Sequence, residues 1–333
     1  MMNLDRFEKL NIKTPWAPKN IIDRARQGIE AVENAIQERV GPLALKVFSG
    51  ESEAFIKWFF AIVQEKTLGE GKNHVLISEN LRASLKGALT LFESFGIVVQ
   101  SIPLQIDGTI DLNLLKMAVY PTTMVCIVEP YDLTTGVEQP IEKILEVLGA
   151  DIHLHLVSQI EFGLRALFPA VNSVQMDPFL FVPAHMSLQD SFDLDQIVAL
   201  TTTFQEELEA SREKTMHATY LRRFFERGVE AIGGKIFFKE QKRHPSVVVF
   251  GFEELHGELL AYYLCQKGMF VSIGGADRPS LHQHLIRMGF EEGESATAVH
   301  VHFPSELEEN GVQDLLEEIE EVLRRTKRAM QRI

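Results

Sequence analysis

Along this chain the spacing of apolar residues switches repeatedly between a helical period and the short apolar runs of buried strands. Residues 20 to 39 place Ile21, Ala25, Ile29, Val32 and Ile36 at helical spacing. KVFSGESEAF then reads as a short strand that breaks at Gly50 into a helix start. NHVLIS follows as a buried strand, LRASLKGALTLFESFG as a helix closed by Gly96, and IVVQSIPL as the next strand. DGTIDLNLLKMAV turns into another helix, after which MVCIVEP, a loop with TTG, IEKILEVLG and DIHLHLV continue the pattern. Alternation of this kind predicts an α/β protein with a mostly parallel sheet and crossover helices.

VQMDPFLFVPAHM reads as one further strand, ending in a loop at Pro183, where a ladder donor is missing. Beyond it the pattern changes. A long polar-patterned helix is predicted over about 194 to 232, ending at Gly233-Gly234 and bridging to a smaller domain. KIFFKE, PSVVVFGF, GMFVSIGG and AVHVHF are strand candidates, and VQDLLEEIEEVLRRTKRAM is a terminal amphipathic helix with basic residues in its last turns. The expected division is an N-terminal segment 1–19, a large α/β domain 20–212 and a small C-terminal α+β domain 213–333. There is no internal repeat and no low-complexity segment.

Composition narrows the function. With 33 basic against 47 acidic residues the formal net charge is −14, which repels phosphate backbones and anionic lipid, so neither nucleic acid nor membrane is an expected partner. Charges run through MMNLDRFEKLNIKTPW, and nowhere do about 18 apolar residues follow one another, so neither a signal peptide nor a span is expected. The two cysteines, Cys126 and Cys265, both fall in apolar runs and read as buried small hydrophobes; a reducing cytoplasm fits them. GEGK near residue 70 lacks the full phosphate-loop spacing and reads as a surface turn.

FSGESEA, HVLISEN, GIVVQSIPLQIDGTIDLNLL, TTGVEQPI, HLHLV, VPAHM and VSIGGADRPS come in the order and rough spacing of motifs in class V aminotransferases, and the chain most closely resembles cysteine desulfurases, from about residue 20 to 325. The resemblance implies the fold of type I pyridoxal-phosphate (PLP) transferases, a homodimer, and a cofactor held at the carboxyl ends of the large domain's strands. It also implies a degenerate cofactor pocket. The family's Ser-Gly-Ala-Thr-Glu turn, which offers backbone N–H groups and a hydroxyl to the cofactor phosphate at a helix N-terminus, matches Ser49, Gly50, Glu51, Ser52 and Glu53. Ser52 keeps a hydroxyl, but Glu51 sets a negative charge beside the phosphate position, at a cost on the order of 1 kcal/mol or more. The family's ring-stacking histidine matches Asn80, the aspartate that pairs with the pyridinium nitrogen matches His155, and a cofactor-contacting glutamine matches Ser158.

The Schiff-base lysine follows a histidine in relatives; the frame of Asp177, FLFVPA and His185 puts Met186 in its place, and a thioether forms no imine. No lysine occurs between Lys143 and Lys214. The desulfurase cysteine matches Asp277 in a shortened loop, the substrate-clamping arginine matches His300, and a Gly/Arg-rich stretch that reaches the partner subunit is deleted after SLQDSFDLDQIVAL. The leading expectation is therefore a protein without covalently bound PLP, acting as a scaffold or regulator and interacting with a desulfurase or a sulfur acceptor. An alternative is a divergent enzyme that reuses the cleft, with a metal on His153, His155 and His185. A PLP enzyme using a lysine such as Lys242 is a third.

Overall fold

The computed structural model describes residues 19–40, 43–48, 50–158, 171–176, 179–186, 188, 194–275 and 279–330. Helix α1 (Lys19–Val40) leads into strand β1 (Leu43–Val47), and the chain then turns at Gly50 into α2 (Glu51–Ile62). β2 (His74–Ser78), α3 (Ala83–Glu93), β3 (Val98–Ile102), α4 (Leu112–Ala118), β4 (Thr123–Val128), α5 (Ile141–Leu148) and β5 (His153–Ser158) follow in alternation. Gly96 adopts φ +85 just past α3, the left-handed position that a glycine fills without a Cβ penalty. With β6 (Ser173–Met176) and β7 (Phe179–Pro183) these strands form a seven-stranded sheet in the order β1-β7-β6-β5-β4-β2-β3. Only β7 runs against the rest: it is antiparallel to both β6 and β1.

The single strand expected over VQMDPFLFVPAHM is thus two. The chain reverses between Met176 and Phe179, where the sequence carries Asp-Pro, a pair that initiates turns. An apolar run alone gives no direction, which is why the reversal escaped the periodic pattern.

The long helix α6 (Leu194–Ala231) gives Phe204 to the core beneath the large sheet and Leu221, Phe225 and Val229 to a second core. That second core lies under a three-stranded sheet of β8 (Lys235–Ile236), β9 (Val247–Gly251) and β10 (Val299–His302), covered by α7 (Gly257–Gln266) and α10 (Glu309–Met330). Two short helices, α8 (Leu281–Met288) and α9 (Glu292–Thr297), complete the order; α8 sends Leu281, Leu285 and Met288 into the core of the large sheet. KIFFKE yields only a two-residue strand, because Phe238 turns to φ +56. GMFVSIGG is reduced to isolated bridges, Ser272 with His300 and Gly274 with Ser280. Cys126 is buried in β4, its thiol pushed up to about 12 by burial, whereas Cys265 is exposed on α7, contrary to the expectation from its apolar neighbours. No helix among the described residues is long and apolar enough to cross a membrane.

Helices α1 and α6 touch so closely that a Cβ on Gly28 would collide with Thr201 Oγ1, whose hydroxyl is bonded to the Ile197 carbonyl at 2.8 Å. Gly28→Leu is expected to cost about 1–3 kcal/mol through overpacking, read from the urea midpoint. An unchanged midpoint would show that the helix pair separates freely.

Candidate functional site: the carboxyl edge of the large sheet

Parallel strands deliver their following loops to one edge of a sheet, and in open α/β folds ligands bind there. β1, β2, β4, β5 and β6 all point to that edge, so it gathers Gly50, Glu51 and Ser52 after β1, Asn80 and Arg82 after β2, Glu129 and Asp132 after β4, and Ser158 at the end of β5. Glu51 opens α2 and Ser52 is exposed in its first turn, while Asn80 and Ser158 are buried. Among the described residues, a Cβ on Gly50 would meet nothing within 4 Å.

Arg82 is the hub. Its Nε donates to Glu129 Oε1 at 3.1 Å, its Nη1 pairs with Glu51 Oε1, and its own backbone N–H faces Glu129 Oε1 at 3.4 Å. Its side chain is 8% exposed, with Glu51 at 18% and Glu129 at 1%, so one guanidinium is shared by two carboxylates in a largely dry setting. The Gln175 amide on β6 donates to the Glu51 carbonyl at 2.8 Å and pins the start of α2. Farther along the edge, Asp132 accepts from Thr134 N at 3.0 Å and Thr135 Oγ1 at 2.9 Å and meets His284 Nε2 of α8 at 2.6 Å. That buried pair fastens α8 to the loop after β4.

His155 does not reach this edge. It lies within the core between α2 and the sheet, fully buried, with its ring stacked on the Trp58 indole at 3.6 Å between centroids. His155 Nδ1 and His153 Nε2 both bond Ser173 Oγ, at 2.7 and 2.6 Å. One hydroxyl carries one proton, so one imidazole accepts it and the other donates. Burial pushes both rings toward the neutral form: His153 is lowered to about 3, with Lys66 and His185 adding to the effect, and His155 is well below the ordinary histidine range.

His185 and Met186 are not where the sequence frame put them. They follow β7, whose last residue, Pro183, sits beside Leu43 at the start of β1, while Gly50 follows the end of β1. Four residue steps at roughly 3.3 Å each put that strand's two ends about 13 Å apart, so Met186 lies at the opposite edge of the sheet. It is buried in the apolar cluster under α2, whereas His185 is exposed with Glu65 Oε2 3.6 Å away. The position the resemblance requires for a lysine, at the carboxyl end of a parallel strand, is the end of β6 at Met176, followed by 177–178. That correction leaves the chemistry unchanged, because the whole stretch from 144 to 213 is free of lysine.

The metal reading fails on the same geometry. His153 and His155 are committed to Ser173 and His185 faces solvent; among the described residues no three histidine, cysteine or carboxylate side chains are grouped to hold an ion. His300 lies in mid-strand β10 opposite Val249, with its backbone bonded to Ser272 on the other side at 2.7 and 2.8 Å. Asp177 and Asp277 lie outside the described residues, as does Ser49. Lys242 is placed in the loop before β9, where its carbonyl accepts from Glu138 N at 2.9 Å.

The architecture is that of the type I fold of PLP-dependent transferases, in its desulfurase-like form. No family model matches the chain and no curated protein does. Among solved structures it is similar to a NifS-like protein, with a TM-score of 0.75 and 15% identity over 95% of this chain and 93% of that one. A NifS-like protein from Rickettsia africae aligns at TM-score 0.70 and 14% identity, covering 92% and 88%. A cysteine desulfurase from Thermococcus onnurineus aligns at 0.66 and 12%, covering 91% and 85%. The described edge residues do not fit the cofactor of that fold: the helix end that would take its phosphate carries Glu51, and no lysine lies within the sequence span that would supply the imine.

Proposed function

We propose that this chain is a desulfurase-fold protein that works without PLP chemistry, as a homodimeric scaffold or regulator whose partner is a desulfurase or a sulfur-acceptor protein in the cytoplasm. The observation that carries this reading is the lysine-free stretch from 144 to 213, which spans both possible positions of the imine-forming residue. Supporting it, the histidine at the place of the pyridinium partner is neutral, buried and turned under α2, where it stacks on the chain's own indole. A neutral imidazole in that place offers no charge to hold a pyridinium proton.

The test is to incubate the purified chain with PLP and L-cysteine and follow the imine absorbance, sulfide and alanine. Neither absorbance nor product is expected above a protein-free control. Release of sulfide with matching alanine, lost on removal of PLP, would overturn the reading. Dimerisation is tested by sedimentation equilibrium, with twice the chain mass expected and the single-chain mass counting against it.

A further inference from the structure

We infer that the Glu51 carboxylate is an anion the chain carries itself, seated at the helix end that would otherwise accept a phosphate and fastened there by Arg82. A helix N-terminus has unpaired N–H groups and a partial positive charge, enough to favour one anion beside it. Glu51 is the first residue of the twelve-residue helix α2, and Gln175 holds its carbonyl at 2.8 Å. Arg82, the cation paired with Glu51, is also shared with Glu129. These three side chains sum to one negative charge, so a phosphate dianion would enter against like charge in a partly desolvated place. Without Glu51 the pair Arg82–Glu129 is neutral, and Arg82 Nη1 loses its carboxylate at the start of α2. This deepens the proposed function, since a helix end closed to phosphate also disfavours cofactor held without a covalent bond.

The probe is inorganic phosphate, which has no aldehyde and so reports on this helix end whatever becomes of the imine chemistry. By titration calorimetry the native chain is expected to show no saturable binding at millimolar phosphate. Glu51→Ala is expected to bind at least about tenfold more tightly, and the further change Arg82→Met to abolish the gain. Glu51→Gln, nearly isosteric, is the second variant should the alanine chain not fold, and the same direction of change is expected of it. Saturable phosphate binding by the native chain that Arg82→Met removes would overturn the inference. So would folded Glu51 variants that bind no better than the native chain, which would make the triad a structural ion pair only. Failure here leaves the lysine argument standing, and PLP-dependent turnover would leave the phosphate result unexplained by it.

Discussion

Trp58→Ala is expected to remove about 3–5 kcal/mol of stability, a large share of the roughly 5–15 kcal/mol that holds a folded protein together. Trp58 is fully buried on the sheet-facing side of α2 among Phe55, Phe59 and Ile62, and its indole is the platform on which His155 stacks. Truncation leaves a cavity and also bares the imidazole to it, so the transfer and cavity contributions add. Trp58→Phe keeps an aromatic face and is expected to lose markedly less. Urea unfolding followed by circular dichroism reads both; a loss below about 1 kcal/mol for the alanine variant would mean that α2 is not anchored through this stack.

The second large effect is acid sensitivity. His153 and His155 are held neutral in the fold, whereas in the unfolded chain they take up protons below the ordinary histidine value of 6.5. Their folded values are depressed and the neutral form is the base, so stability is fully present above pH 6.5 and is lost as pH falls from there toward the folded values. For His153, lowered to about 3, the loss between pH 6.5 and 4.5 is about 2 kcal/mol, and His155 adds in the same direction. Carboxylates also titrate in this range, so the informative quantity is a difference. His153→Gln, which can still bond Ser173 Oγ, is expected to flatten the dependence of the urea midpoint on pH relative to the native chain. Parallel curves for the two proteins would show that His153 is protonated in the fold.

The scaffold was legible because strands and helices differ in period, and because NHVLIS, MVCIVEP and DIHLHLV are apolar runs of strand length between helical stretches. Gly50 and Gly96 marked turns that the structure contains. Direction was less legible. FLFVPAHM is equally apolar read as a parallel or an antiparallel strand, and taking it as parallel carried His185 and Met186 to the wrong edge of the sheet. Glu51, Asn80 and Ser158 were placed at the carboxyl edge by the family resemblance, and each also follows or ends an apolar run. The same signal was available for Arg82 in LISENLR and Glu129 in CIVEP, and it would have found both. Ser173 and Gln175 carried no such mark, since a hydroxyl and an amide inside a strand reveal their partners only once β5 and β6 are paired.

The account rests on the lysine-free stretch from 144 to 213, and one measurement addresses it directly. The purified chain is incubated with PLP, reduced with borohydride, and its intact mass and peptide map are recorded. The prediction is a native mass, with any modification confined to scattered surface lysines at less than stoichiometric level. A single stoichiometric phosphopyridoxyl adduct on one lysine, formed before reduction and competed by L-cysteine, would contradict it.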